Sequence, residues 1–227
     1  MIEDLRDLLR GDADRIAGWL TNPDRHRLVA CSIVILIGSA VYGFTLGIWR
    51  APLQAVFTAA KFPLLIFVTC GANAAVNGML AQVLGSGLSF KQTSLAILMS
   101  FTIAALILAG FSPITLFIWL NAPPLESKEA VLGHSLILLS HVFAIAFAGV
   151  IANQRLLDFL RKLSGTVAAR RILISWLAGN LFLGAQLAWN LRPFIGSPAL
   201  AVQFLRDDPL RGNFYEAVWR AFLHVIS

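Results

Sequence analysis

Between Arg171 and Arg192 runs the stretch RILISWLAGNLFLGAQLAWNLR, in which the twenty residues inside the two arginines carry no formal charge. At about 1.5 Å rise per residue this length matches the roughly 30 Å hydrocarbon core of a bilayer, so the stretch reads as a membrane-spanning α-helix. On a helical wheel Ser175, Gly179, Gln186 and Asn190 share one face. That small and polar stripe is the kind that packs against other helices in lipid.

The rest of the chain repeats the pattern. Charged residues make up 13% of the 227 and hydrophobic residues 58%, against roughly 25% charged in an average soluble protein. Mean hydropathy is +0.76. A water-soluble fold would need a core too large for its surface, whereas lipid solvates the outside of a membrane bundle. The fold class expected is all-α: a single polytopic membrane helix bundle of about five transmembrane helices, with amphipathic interfacial helices at both ends.

Residues 1–27 form an amphipathic segment with apolar positions at Ile2, Leu5, Leu8, Leu9, Ile16, Trp19 and Leu20, lying on the membrane surface or packing on the protein's own loops. Its mixed acidic and basic start does not resemble a cleavable signal peptide. Asn22-Pro23-Asp24 makes a turn before the first span, Leu28–Ile48, where Gly38, Gly43 and Gly47 offer close approach and Trp49-Arg50 an interfacial anchor. Residues 51–60 are too short to cross and are expected as an interfacial or re-entrant piece, with Lys61-Phe-Pro63 reopening the next helix. The second span, Phe62–Leu84, carries Asn73 and Asn77 one turn apart beside Ala74, Gly78 and Ala81.

A turn over Gly85–Ser89 follows, with Ser89 placed to cap the third span, Gln92–Phe111. Ser112-Pro113 is expected to kink that helix, with 114–121 continuing it or folding back. After a polar loop from Asn121 the fourth span covers Ala130–Ala152. Residues 153–170 read as a basic interfacial linker and 172–191 as the fifth span. In the 192–227 tail, Asn213 and Glu216 make a capping-box pattern ahead of a last helix whose apolar face is Phe214, Val218, Phe222 and Val225.

Five spans put the chain ends on opposite sides. Eleven of the eighteen Lys and Arg then fall on the N-terminal side and seven on the other, so the N-terminus is expected in the cytoplasm and the C-terminus across the membrane. The compartment expected is a bacterial inner membrane. The basic residues sit between apolar runs and suit an anionic lipid surface; they lack the interleaved basic and aromatic face of a nucleic-acid binder.

Cys31 and Cys70 lie inside apolar runs and read as small buried hydrophobes, not as a disulfide or metal pair. His134 and His141 share a face but stand about 10.5 Å apart along the axis, so both cannot serve one iron from that helix. Packing or an interhelical hydrogen bond to Asn or Ser is their expected use. No Gly-x-Ser-x-Gly, His-Glu-x-x-His or Cys-x-x-Cys is present, and the spans contain no carboxylate. The sequence therefore gives no catalytic residue, no metal and no cofactor.

The candidate partner or helix-packing residues are Asn73, Asn77, Gly78, Ser175, Gly179, Gln186 and Asn190. Lys61 is expected to snorkel to the headgroups, and Arg192, in the Arg192–Pro198 motif, to pair a lipid phosphate or simply to anchor a helix stop.

The runs KFPLLIFVTCGANAAVNGMLAQVLG and SFKQTSLAILMSFTIAALILAG, with the following loop and fourth span, resemble the Yip family of five-span membrane proteins, whose eukaryotic members associate with Rab GTPases. The resemblance covers roughly Lys61–Ala152 and does not extend to 171–227. It implies a non-enzymatic organiser of membranes or partners. From the residues themselves two functions are open: a scaffold or subunit of a membrane complex, with the bilayer and other subunits or a second copy as partners, and a small transporter or channel along a polar path of Asn73, Asn77, Gln186 and Asn190.

Overall fold

The computed structural model describes residues 2–11, 16, 18–19, 24–83 and 89–226. The expected turns at Asn22-Pro23 and Gly85–Leu88 lie outside the described residues. Long apolar runs flanked by capping residues become helices: α1 (Ile2–Arg10), α2 (Arg25–Gly47), α3 (Pro52–Val83), α4 (Phe90–Leu120), α5 (Ala130–Ser164), α6 (Thr166–Asn190) and α7 (Phe214–Ile226). No strand occurs among the described residues. Five of these helices, α2 to α6, are long and apolar enough to cross a membrane.

The caps show why the helices begin where they do. Asp24 accepts from the His26 amide at the start of α2. Ser89 and Gln92 form a reciprocal capping box at the start of α4, as the sequence suggests. Asn213 accepts from the Glu216 amide at the start of α7.

Three boundaries differ from the sequence reading, and each helix is longer than expected. α3 runs without a break from Pro52, taking residues 52–60 into the same helix as the second span and holding Pro63 in its interior. α4 carries Pro113 in its interior and continues to Leu120, so 114–120 do not fold back. The 153–170 linker is absent as such. α5 continues to Ser164, and Gly165, at a φ of 76°, makes the corner into α6 alone. The physical reason is shared: a proline removes one hydrogen bond without ending a helix that its neighbours support, and a charged stretch keeps its helical bonds. At 32 residues, α3 is about 48 Å long, longer than the hydrocarbon core is thick.

Helix α4 sits at the centre, against α2, α3 and α5, while α6 packs across α3 and α5, and α7 lies on α5 and α6. The close approaches expected in the first span are present. A Cβ on Gly38 would stand 3.0 Å from the Ala105 carbonyl, and those on Gly43 and Gly47 would stand 2.7 Å from the carbonyls of Thr58 and Gln54.

Two buried clusters are stacked along the bundle. One joins Leu8 and Ile16 to Met99, Phe159 and Trp176. The other joins Tyr42, Trp49 and Phe62 to Ile137 and Ile195. The N-terminal helix thus docks at one end of the bundle and the segment after α6 at the other.

The buried edge of α7 is Phe214, Ala217, Val218 and Ala221. Phe222 and Val225, which the sequence places on the same apolar face as Phe214 and Val218, are exposed with Tyr215, Trp219 and Ile226.

Candidate functional site

Helix α3 is apolar apart from a buried line of polar side chains and the exposed Gln82 near its end. Gln54, Thr58 and Lys61, at spacings of four and three, share one face; Thr69, Asn73 and Asn77 begin eight residues on at spacings of four, so the line winds round the helix from the first three to the last. All six are buried. Buried polar groups need partners, and in lipid no water stands in for them. Part of the stripe bonds within α3, and the stripe as a whole lies against two elements that come later in the chain: α6 and the irregular segment 191–213.

Over its second half the stripe meets α6, running antiparallel. The Asn73 amide donates to the Thr69 carbonyl at 2.8 Å, and the Asn77 amide donates to Asn73 Oδ1 at 3.3 Å. Gly179 sits over this pair, where a Cβ would stand 3.7 Å from Asn73 Oδ1 and 3.9 Å from Asn77 Oδ1. Gly184 sits opposite Thr69 in the same way. Thr69 Oγ1 and Asn77 Oδ1 have no hydrogen-bond partner among the described residues.

Over its first half the stripe holds the segment after α6. Lys61, fully buried, donates from Nζ to the carbonyls of Leu191 at 3.2 Å, of Phe204 at 2.7 Å, and of Pro193. Three carbonyls match the three donors of an ammonium. The rings of Phe194 and Phe204 add two faces, with centroids 5.2 and 5.3 Å from Nζ, where a cation is attracted by the ring quadrupole. Gln54 Nε2 lies 3.0 Å from each of the Pro193 and Phe194 carbonyls, and the Thr58 hydroxyl lies 2.6 Å from the latter. Lys61 therefore does not snorkel. Its charge is spent on the protein's own backbone, which leaves it neither a headgroup ligand nor a free nucleophile.

Three arginines do the same work around it. Arg50 donates to the Ser197 and Leu200 carbonyls at 2.9 and 3.0 Å. Gly196, at a φ of 84°, passes so close to the Arg50 side chain that a Cβ would stand 2.7 Å from it. Arg192 stacks 4.0 Å over the Trp189 ring and donates to the carbonyls of Trp189, Asp208, Pro209 and Arg211. α6 ends at Asn190, just before Arg192-Pro193, and the guanidinium that the sequence offers to a lipid phosphate is bonded to these carbonyls. Arg206 donates to the Ala201 carbonyl and to Gln203.

Desolvation draws Arg192 below the ordinary arginine value; Arg206 adds to that shift and Asp208 opposes it. Arg206 is lowered by desolvation too, with Asp207 opposing and Arg50 adding. Both stay charged, as guanidinium groups do in proteins. An irregular segment at the end of a membrane bundle thus has its carbonyls collected by four cationic side chains.

Beneath Lys61, Phe62 packs edge-on to Tyr42, His141 and Phe194 at 5.5, 5.7 and 5.8 Å. Tyr42 Oη and His141 Nδ1 are 3.0 Å apart, both buried, and tie α2 to α5. His141 thus makes the interhelical bond expected of it, with a tyrosine in place of an Asn or Ser. His134 stands 6.2 Å from the Trp49 ring.

Of the sequence candidates, Asn73, Asn77 and Gly179 come together. Gly78 instead faces the Phe90 ring. Ser175, Gln186 and Asn190 are half-buried along α6, and Asn190 Oδ1 has no partner among the described residues. The sequence reading missed Gln54, Thr58 and Tyr42, and the roles of Arg50 and Lys61. The available signal was the three-and-four spacing of Gln54, Thr58 and Lys61, which the expected break before residue 61 concealed. No group of three or more metal-ligating side chains occurs among the described residues. No family model matches the chain, and no curated protein or solved structure is found to be similar to it.

Proposed function

We propose that the protein is a non-enzymatic scaffold or subunit of a membrane complex, and that a partner helix docks along α6. One observation carries the reading. Only 11% of the apolar window of α6 is buried within the chain, against 33% to 50% for the other four candidate spans. Ile174 and Phe182 are exposed on it at 68% and 67%. Helices in lipid associate by packing such faces, and a span that buries so little against its own chain has the most surface left for a neighbouring helix. The likeness of Lys61–Ala152 to the Yip family supports the same class of function. The placement proposed with it is a bacterial inner membrane with the N-terminus cytoplasmic, supported by the bias of Lys and Arg.

The test is photo-crosslinking from residue 181 or 182 in native membranes, followed by mild extraction. A discrete protein adduct, a second copy or a distinct subunit, is expected. A monomer labelled only by lipid overturns the proposal.

A second reading, a small transporter or channel along the α3 stripe, is favoured by the buried and unpartnered Thr69 Oγ1 and Asn77 Oδ1. It requires solute flux in reconstituted vesicles that falls in Asn77→Leu while the fold is kept.

A further inference from the structure

At the end of the bundle away from the 191–213 segment, α1 and the start of α2 enclose a cavity of about 320 Å³. Small-molecule sites run from about 300 to 1,000 Å³, so the space suits part of a ligand more than a whole bulky one. Its floor is Leu8, Leu95 and Met99, all buried. Its wall on α2 includes Val29 and Ile33, which are 57% and 43% exposed on a helix apolar enough to cross a membrane. The cavity is thus open sideways, toward hydrocarbon.

Its rim has a different character. Asp4, Asp24, His26, Arg27 and Trp19 line it, with the Arg27 guanidinium 4.9 Å over the Trp19 ring. From His26 to Ile33 is about 10 Å along a helix axis. The headgroup region of one leaflet is about 5 to 8 Å deep, so the step from charged rim to apolar wall follows the same gradient as the leaflet.

The geometry points to a phospholipid site. One acyl chain enters between Val29 and Ile33 and lies against Leu95 and Met99, with the phosphodiester at Arg27 and a headgroup amine at Asp24. A guanidinium is suited to a phosphate, and a carboxylate that caps a helix still has lone pairs for an ammonium. Because the rim carries both signs, it selects an amine-bearing zwitterionic lipid, the phosphatidylethanolamine class, over an anionic one of the same chain length. The assignment is independent of any partner on α6.

The full-length protein, reconstituted in nanodiscs of equal phosphatidylethanolamine and phosphatidylglycerol, is released and stripped of lipid stepwise while native mass spectrometry counts what stays bound. One phosphatidylethanolamine is expected to persist after bulk lipid has gone. Ala30→Trp, which fills the cavity from its wall, is expected to lower that retention about tenfold. Arg27→Gln, which leaves the volume unchanged, is expected to lower it about threefold or more through the lost phosphate contact.

Equal retention of the two lipids by the wild type overturns the assignment, as does preference for phosphatidylglycerol or undiminished retention in Ala30→Trp. Should Ala30→Trp fail to fold, lipid-dependent thermal shifts decide the question. The wild type must be stabilised more by phosphatidylethanolamine than by phosphatidylglycerol, and Asp24→Asn, which keeps a helix-capping side chain but removes the charge facing the amine, must lose that difference.

Discussion

Replacing Lys61 by methionine keeps an unbranched apolar stem in the same space and deletes three donors at once. The carbonyls of Leu191, Pro193 and Phe204 then lose the ammonium they share. A hydrogen bond to a charged group contributes about 1.5–3 kcal/mol, so the three together set an upper range of about 4.5–9 kcal/mol. Two effects reduce it. The substitution no longer buries a charge, and the segment lifts away so that water reaches Phe204, which is already exposed, and Leu191, which is half-buried. A net loss of about 2–4 kcal/mol remains, and it falls on the docking of 192–211 more than on the helices.

The assay is amide hydrogen exchange in nanodiscs. At about 1.4 kcal/mol per tenfold, amides of 192–211 that open with the segment should exchange about 30- to 700-fold faster, while those of α4 stay as they were. Exchange within about threefold of the wild type across 192–211 would refute the claim that the lysine holds the segment. Lys61→Ala offers a complementary readout, because a small alkylammonium added to the buffer can occupy the emptied carbonyl and ring site and restore protection.

The Tyr42–His141 pair predicts non-additive behaviour: Tyr42→Phe leaves His141 Nδ1 buried without a partner and should cost about 1–3 kcal/mol in detergent unfolding. Tyr42→Phe with His141→Leu should cost less than the two single changes summed, and strict additivity would count against the bond. The helix crossings predict opposite signs for one chemical change. Gly43→Ala drives a Cβ to 2.7 Å from the Thr58 carbonyl and should lower stability by about 1–3 kcal/mol through overpacking. Gly179→Ala meets its nearest side-chain atom at 3.7 Å and should be neutral or stabilising by up to about 1 kcal/mol, from helix propensity. Equal effects in thermal unfolding of the two variants would refute the geometry of one crossing or the other.

The existence of five spans is legible from apolar length alone, because nothing else accommodates twenty uncharged residues in a row. The ends of the helices are not. Pro63 reads as a start signal and lies mid-helix, since a bundle tolerates one missing bond. Residues 153–164 read as linker and are helical, because charge says where the bilayer stops and not where hydrogen bonding stops. That single misplaced boundary before Lys61 hid the most informative pattern in the chain: Gln54, Thr58 and Lys61 share a face of the same helix that later carries Asn73 and Asn77. What those residues hold was beyond the reach of the sequence, since their acceptors are backbone carbonyls, which leave no trace in residue identity. Asn73, Asn77 and Gly179 were found because close helix packing in lipid demands small and amide side chains, and that demand is local.

The order of synthesis gives the lysine a history. Its acceptors lie 130 to 143 residues downstream, so at about 5–20 residues per second the ribosome takes roughly 7–29 s to make them after Lys61 emerges. Throughout that interval the nascent second hairpin arm carries a cation that has nothing to bond except water and headgroups. The arm must therefore ride high at the surface first and settle only when residues 191–204 arrive. The segment after α6 thus fastens from outside a bundle whose depth it helps to set.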